Sequence, residues 1–201
     1  MSFYTGTVKE QLYSLPTTVT KNAYTSQAIL TAGGPSVTYG VGQAPRCIIP
    51  ANFFGSNPNG VGRTLFGHIA GTMACTSAAT IAVVLLWNPT PGTIGTTLAT
   101  PWPTLAPTAA VTCEWDFEFW ITAAQAGAGT TGLTLQLNGR WQQSVVAAGV
   151  LSTAPQWIMV DTSTASLNAE SQAELALAGT WSASNAANTT TVKQFQLFGC
   201  N

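Results

Sequence analysis

Between Cys113 and Trp120 the chain changes character at every residue, with Cys113, Trp115, Phe117 and Phe119 alternating with Glu114, Asp116, Glu118 and Trp120. A period of two sends successive side chains to opposite faces of a strand, so this segment predicts a β-strand with one apolar and one largely polar face. The period returns where Leu133, Leu135, Leu137 and Trp141 are set against Thr134, Gln136, Asn138 and Arg140. It is present again after Arg63, with Leu65, Ile69 and Met73 on one side and Thr64, Phe66, His68 and Thr72 on the other. Ile81 to Trp87 is apolar at both parities, the pattern of a strand covered on both faces. Trp157 to Val160, Ala173 to Trp181 and Val192 to Phe198 complete the set. No segment sustains a helical period; Ala165 to Leu177 comes nearest, but Leu175, Leu177 and Trp181 fit a strand better.

Short strands joined by Pro-, Gly- and Thr-rich connections predict an all-β chain, folded as a two-sheet antiparallel β-sandwich. A jelly roll is the preferred topology. An immunoglobulin-like sandwich is the alternative, although its Cys, Trp, Cys pattern is missing. Asn88 to Pro107 holds five prolines and reads as a long loop, and AGAGTTG around Gly127 reads as a turn between two strands. Residues 1–44 differ in texture, with Tyr4, Tyr13, Tyr24 and Tyr39 scattered among Thr, Ser, Gly and Pro. The expectation is an extended N-terminal arm over 1–44, touching a neighbour through Tyr4, Tyr13 and Tyr24, and a sandwich domain over 45–201.

Composition narrows the function classes. Only 6% of the 201 residues are charged, whereas soluble domains devote about a quarter to charge. Thr, Ala, Gly and Ser fill the space, so disorder through self-repulsion is excluded. Six basic against seven acidic residues, with no basic cluster, leave no footprint for phosphate neutralisation, and no nucleic-acid partner is expected. The seven-residue apolar run Ile81 to Trp87 is far short of the ~20 residues of a spanning helix, so no membrane is expected. The opening MSFYTGTVKEQ lacks a signal-peptide pattern, and folding in a cytoplasm is expected. Cys47, Cys75, Cys113 and Cys200 form no CxxC pair and read as ordinary thiols rather than metal ligands.

Three of the seven acids, Glu114, Asp116 and Glu118, share one strand face, with about 7 Å between successive positions. That spacing would suit a carboxylate pair or a cation. Yet a hairpin through Gly127 brings Gln136, Asn138 and Arg140 opposite, so cross-strand pairing of Arg140 with Glu114 or Asp116 explains the acids without catalysis. His68 is the single histidine, and no GxSxG elbow, P-loop or GxGxxG accompanies it. The reading is no enzyme, no cofactor and no metal. Phe66, His68, Val84 and Leu86 are the candidate subunit contacts. Asn188-Thr189-Thr190 is a formal sequon that reads as idle without a secretory signal. Trp120 on a polar face and Trp102 in the loop leave sugar stacking as a competing function, whereas Trp115, Trp141, Trp157 and Trp181 read as core.

The runs GRTLFGHIAGTMACTSAATIAVVLLW, CEWDFEFWITA, GLTLQLNGRW and TVKQFQLFGCN resemble the small jelly-roll virion proteins of tailed bacteriophages, particularly those infecting actinobacteria. The resemblance spans about residues 61–198 and is one of strand order and small-residue texture, without a diagnostic motif. It implies a virion structural protein assembled in the host cytoplasm. The expected role is capsid decoration as a homo-oligomer, a homotrimer in the first instance, bound to the major capsid protein. A minor tail protein, or a carbohydrate-binding module that recognises the host surface, is the alternative.

Overall fold

The computed structural model describes residues 9–31, 47–54, 63–75, 79–87, 96–98, 104–105, 107, 112–125, 132–144, 146–147, 150–151, 156–162 and 167–200. Among them there is no helix. The strands are β1 (Lys9–Ser14), β2 (Val19–Asn22), β3 (Ala28–Ile29), β4 (Cys47–Ile49), β5 (Thr64–Ala74), β6 (Ile81–Trp87), β7 (Thr96–Thr97) and β8 (Thr104–Leu105). They are followed by β9 (Cys113–Gln125), β10 (Thr134–Gln143), β11 (Val146–Ala147), β12 (Val150–Leu151), β13 (Gln156–Thr162), β14 (Ala173–Trp181) and β15 (Thr189–Cys200).

The larger sheet runs β1-β15-β5-β9-β10-β13, with β2 also on β15. In the smaller sheet the order is β3-β14-β6-β7, with β4 on β14 and β8 on β6. All pairings between these strands are antiparallel. The chain alternates between sheets as it advances, and its last two strands, β14 and β15, insert between earlier ones. That is the jelly-roll order rather than an immunoglobulin-like one. β10 and β13 extend the larger sheet beyond β9, outside the jelly-roll frame.

Alternation decides which face is buried. Leu65, Ile69 and Met73, then Trp115, Phe117, Phe119 and Ile121, then Leu135, Leu137 and Trp141, meet Ile81, Val83, Leu85, Leu175, Leu177 and Trp181 in one core. The rings of Trp115 and Trp141 stack with centroids 4.8 Å apart. Gly67 lies under Phe119, whose ring would be 1.9 Å from any added Cβ, so this strand position admits no side chain. The Gly127 turn, Trp102, Tyr4 and Tyr39 lie outside the described residues, as does the side chain of Trp157.

The arm expectation is corrected over 9–31. β1 and β2 pair with β15, and β3 pairs with β14, so this segment belongs to the sandwich. Tyr24 is 1% exposed, packs against Trp181 and hydrogen-bonds Thr190 Oγ1 through its hydroxyl at 2.8 Å. The preceding Ala23 takes a left-handed φ of 53°, a strain of about 1 kcal/mol for a residue with a Cβ. Hydrogen bonds hold it there, from its own N–H to Asn188 O and from Ser184 Oγ to its carbonyl. Tyr13 packs edge-on against Phe195, within its own chain.

Leu86 is likewise corrected as a subunit contact. It is fully buried beside Ile29, Ala176 and Ala178, with Val84 half-buried against the same cluster. The apolar character of Ile81 to Trp87 at both parities is satisfied inside one chain.

Burial raises the Tyr24 hydroxyl well above its ordinary value of 10.0, partly offset by its hydrogen bond to Thr190 and by the neighbouring Trp181. The folded-state value is raised, so the stability this group contributes is complete below pH 10.0 and is lost as pH rises through the folded value. Tyr24→Phe removes both the hydrogen bond and the titration. Urea unfolding at pH 8 should show the variant about 1 kcal/mol less stable, with the gap shrinking once pH exceeds about 10. A gap that stays constant to about pH 11 would contradict the burial of this hydroxyl.

Candidate functional site

The outer face of the larger sheet carries the polar half of each alternating strand. Directly opposed residues form rows across it. One row runs Phe198, Phe66, Trp120, Asn138, Val160, and the next runs Gln196, His68, Glu118, Arg140, Ile158. A third runs Gln194, Ala70, Asp116, Gln142.

The first row is aromatic. Phe66 lies between Trp120, at 5.2 Å, and Phe198, at 6.2 Å, and Lys9 Nζ sits 5.4 Å from the Phe66 centroid. Such an ammonium-ring contact on an exposed face contributes about 0.5–1 kcal/mol. Phe66 and His68 are both half-buried here, while Val84 and Leu86 belong to the other sheet. The four candidate contacts therefore do not form one surface.

The second row holds the ion pairs. Arg140 donates to Glu118 Oε2 at 3.0 Å, directly across the β9–β10 ladder. The expected adjacency of these strands is observed, but the partner is Glu118 rather than Glu114 or Asp116. The register shift between Thr134 and Leu135 brings Arg140 opposite Glu118, where an unbroken ladder from Thr134 and Gln125 would have set it opposite Phe119. Asp116 instead bonds His68 Nε2 on the diagonal between β9 and β5. Glu114 is held through its backbone, with its N–H donating to Ser144 Oγ at 3.2 Å and its carbonyl accepting from Ser144 N–H at 2.8 Å. The Ser144 hydroxyl also donates to the Glu114 carbonyl, at 3.3 Å. No group of three or more His, Cys, Asp or Glu side chains suited to a metal occurs among the described residues.

The third row contains a depression. Ala70 is its one short side chain, and around it opens a cleft of about 440 Å³, lined by Glu114, Asp116, Gln142, Ser144, Lys193 and Gln194 among others. Its Lys193 wall comes from a β-bulge, since the β15 register shifts between Val192 and Gln194. Gly71 permits the bulge, because the Thr191 carbonyl oxygen would be 1.9 Å from a Cβ there. The sequence carried a sign of this bulge, because Val192 and Phe195, both buried, are three positions apart instead of two.

Elsewhere, Tyr13 and Tyr24 are tied up inside their own chain. Burial, followed by the nearby Cys47 and Glu174, raises the Tyr13 hydroxyl well above its ordinary range. Cys47, Cys75 and Cys113 are buried and Cys200 is half-buried, none of them in a disulfide. The sequon residue Asn188 is buried and donates to the Ala183 carbonyl at 2.8 Å.

No protein-family model matches the chain, and no curated protein matches it. Among solved structures it is similar to the CBM2 module of the evolved Dit of Lactobacillus casei BL23 phage J-1. The two share 10% identity over 97% of each chain at a TM-score of 0.30. At that level the likeness carries no statement about this chain's function, which rests on the residues described above.

The Arg140–Glu118 pair is partly exposed at both ends. Arg140→Ala should therefore cost about 0.2–1 kcal/mol in the isolated protein. A loss of about 3–5 kcal/mol by urea unfolding would contradict an open face, because only a buried pair is that costly to break.

Proposed function

We propose that this chain is a structural protein of a bacteriophage virion, acting as a capsid decoration protein that docks through the outer face of its larger sheet. One observation carries the reading. Among the described residues the exposed large hydrophobics are Trp120 at 40%, Ile158 at 80% and Val160 at 61%, and all three lie on that face in adjacent rows. Large apolar side chains gathered on one face are costly to leave in water and mark a surface that becomes covered. The near-neutral surroundings oppose association only weakly.

The jelly-roll order agrees with the resemblance to small virion proteins of tailed phages. The partner is the major capsid protein, and a tail protein would fit the same chemistry. The role proposed for this face is binding, on a surface where His68 pairs with Asp116 and the Ser144 hydroxyl bonds the Glu114 backbone. A second reading, glycan binding, is favoured by Trp120 beside Phe66 together with the mixed donors and acceptors of the Ala70 cleft.

Quantitative mass spectrometry of purified particles separates these roles. Capsid decoration gives hundreds of copies per particle, and a tail component gives a few. Absence from the particle, with retention on a glycan array that Trp120→Ala abolishes, would overturn the virion reading in favour of the second one.

A further inference from the structure

An antiparallel sheet that does not close has two edges, and each exposes unpaired N–H and C=O groups that can recruit another strand. This sandwich has four edges, and among the described residues three carry recognised protection. The edge strands β3 and β7 of the smaller sheet are two residues long. The β1 edge of the larger sheet carries Lys9 and Glu10, both exposed, and its register with β15 is broken between Gln11 and Tyr13. The fourth edge is β13. It pairs with β10 over seven consecutive residues without a register shift, has neither proline nor glycine, carries a single charged residue, Asp161, and presents Ile158 and Val160 to solvent.

We infer that β13 is the contact through which two copies of this chain join, edge to edge and antiparallel, into one continuous sheet. The occupant follows from the strand's own symmetry. A two-fold axis through Met159 sets Ile158 of one copy opposite Val160 of the other, and Gln156 opposite Thr162. Ile158 and Val160 share the outer face, so this register forms two β-branched cross-strand pairs, the type of pair that stabilises antiparallel ladders most readily. A slip of one residue would turn the second copy over, so that the other set of alternate residues came opposite Ile158 and Val160. The interface is isologous and closes at two copies, so it gives a dimer and not a filament. The joined sheet places the two aromatic rows end to end on one side. The inference concerns self-association and does not depend on the virion reading.

The test exploits the register. Sedimentation velocity at micromolar concentration should give a dimer for the native chain. Ile158→Lys with Val160→Lys puts four ammonium groups at the two-fold and should give a monomer, as should Ile158→Glu with Val160→Glu. Mixing the two variants should restore a dimer containing one of each, and a chain carrying Ile158→Lys and Val160→Glu should dimerise by itself. Far-ultraviolet circular dichroism and a cooperative melt verify the fold of each variant. A native monomer or trimer, a folded lysine variant that stays dimeric, or mixed variants that stay monomeric would each overturn the inference.

Discussion

Both sheets are built around the last two strands of the chain. β15 receives β1 and β2 on one side and β5 on the other, and β14 does the same for β3, β4 and β6. The first strands consequently have no strand partner until the segment from Ala173 to Cys200 is in place. Such pairing closes long loops before any contact rewards them, which makes folding slow and strongly cooperative. Tyr24 shows the dependence in one side chain: its ring meets Trp181 on β14 and its hydroxyl meets Thr190 on β15. The strained Ala23 is tolerated because Asn188 and Ser184, from the β14–β15 connection, hold it from both ends.

With the core filled from both sheets, the outer faces differ. On the smaller sheet, Ile29, Leu86, Ala176 and Ala178 are buried, and the chain satisfies its own apolar surface there. Its larger counterpart carries its aromatic row, its ion pairs and its cleft in the open. Few charges are available in this sequence; on this face His68 pairs with Asp116 and Arg140 with Glu118, while Glu114 and Lys193 line the cleft and Lys9 sits over the Phe66 ring. With both signs interspersed among rings, amides, hydroxyls and aliphatic groups, the surface is suited to shape-matched contact rather than to long-range electrostatic steering.

The long strands were legible in the sequence because their burial alternates with their residue type, as in Leu65 to Met73 and Trp115 to Ile121. Residues 9–31 were not. β1, β2 and β3 are short, and Tyr24 and Leu30 are brought into the core by strands about 150 residues later in the chain, a tertiary cause that local periodicity cannot register. Leu86 misled for the converse reason: an apolar run at both parities is the same pattern whether the second cover is another subunit or the chain itself. The partner of Arg140 depended on the exact register of the β9–β10 ladder, including the shift at Thr134, and the Ala70 cleft depended on a single bulge at Lys193. Both were within reach of the adjacent strand pattern, but one-residue offsets set their detail.

Docking through the outer face of the larger sheet, as proposed above, is open to direct test. Hydroxyl-radical footprinting of the free chain and of the chain on purified particles addresses it directly, with Trp120, Phe66 and Phe198 as reporters and the exposed Pro16, between β1 and β2, as reference. The account predicts that Trp120 and its two neighbours lose reactivity on the particle while Pro16 keeps it. Unchanged reactivity at Trp120, with protection at Pro16 instead, would contradict the account.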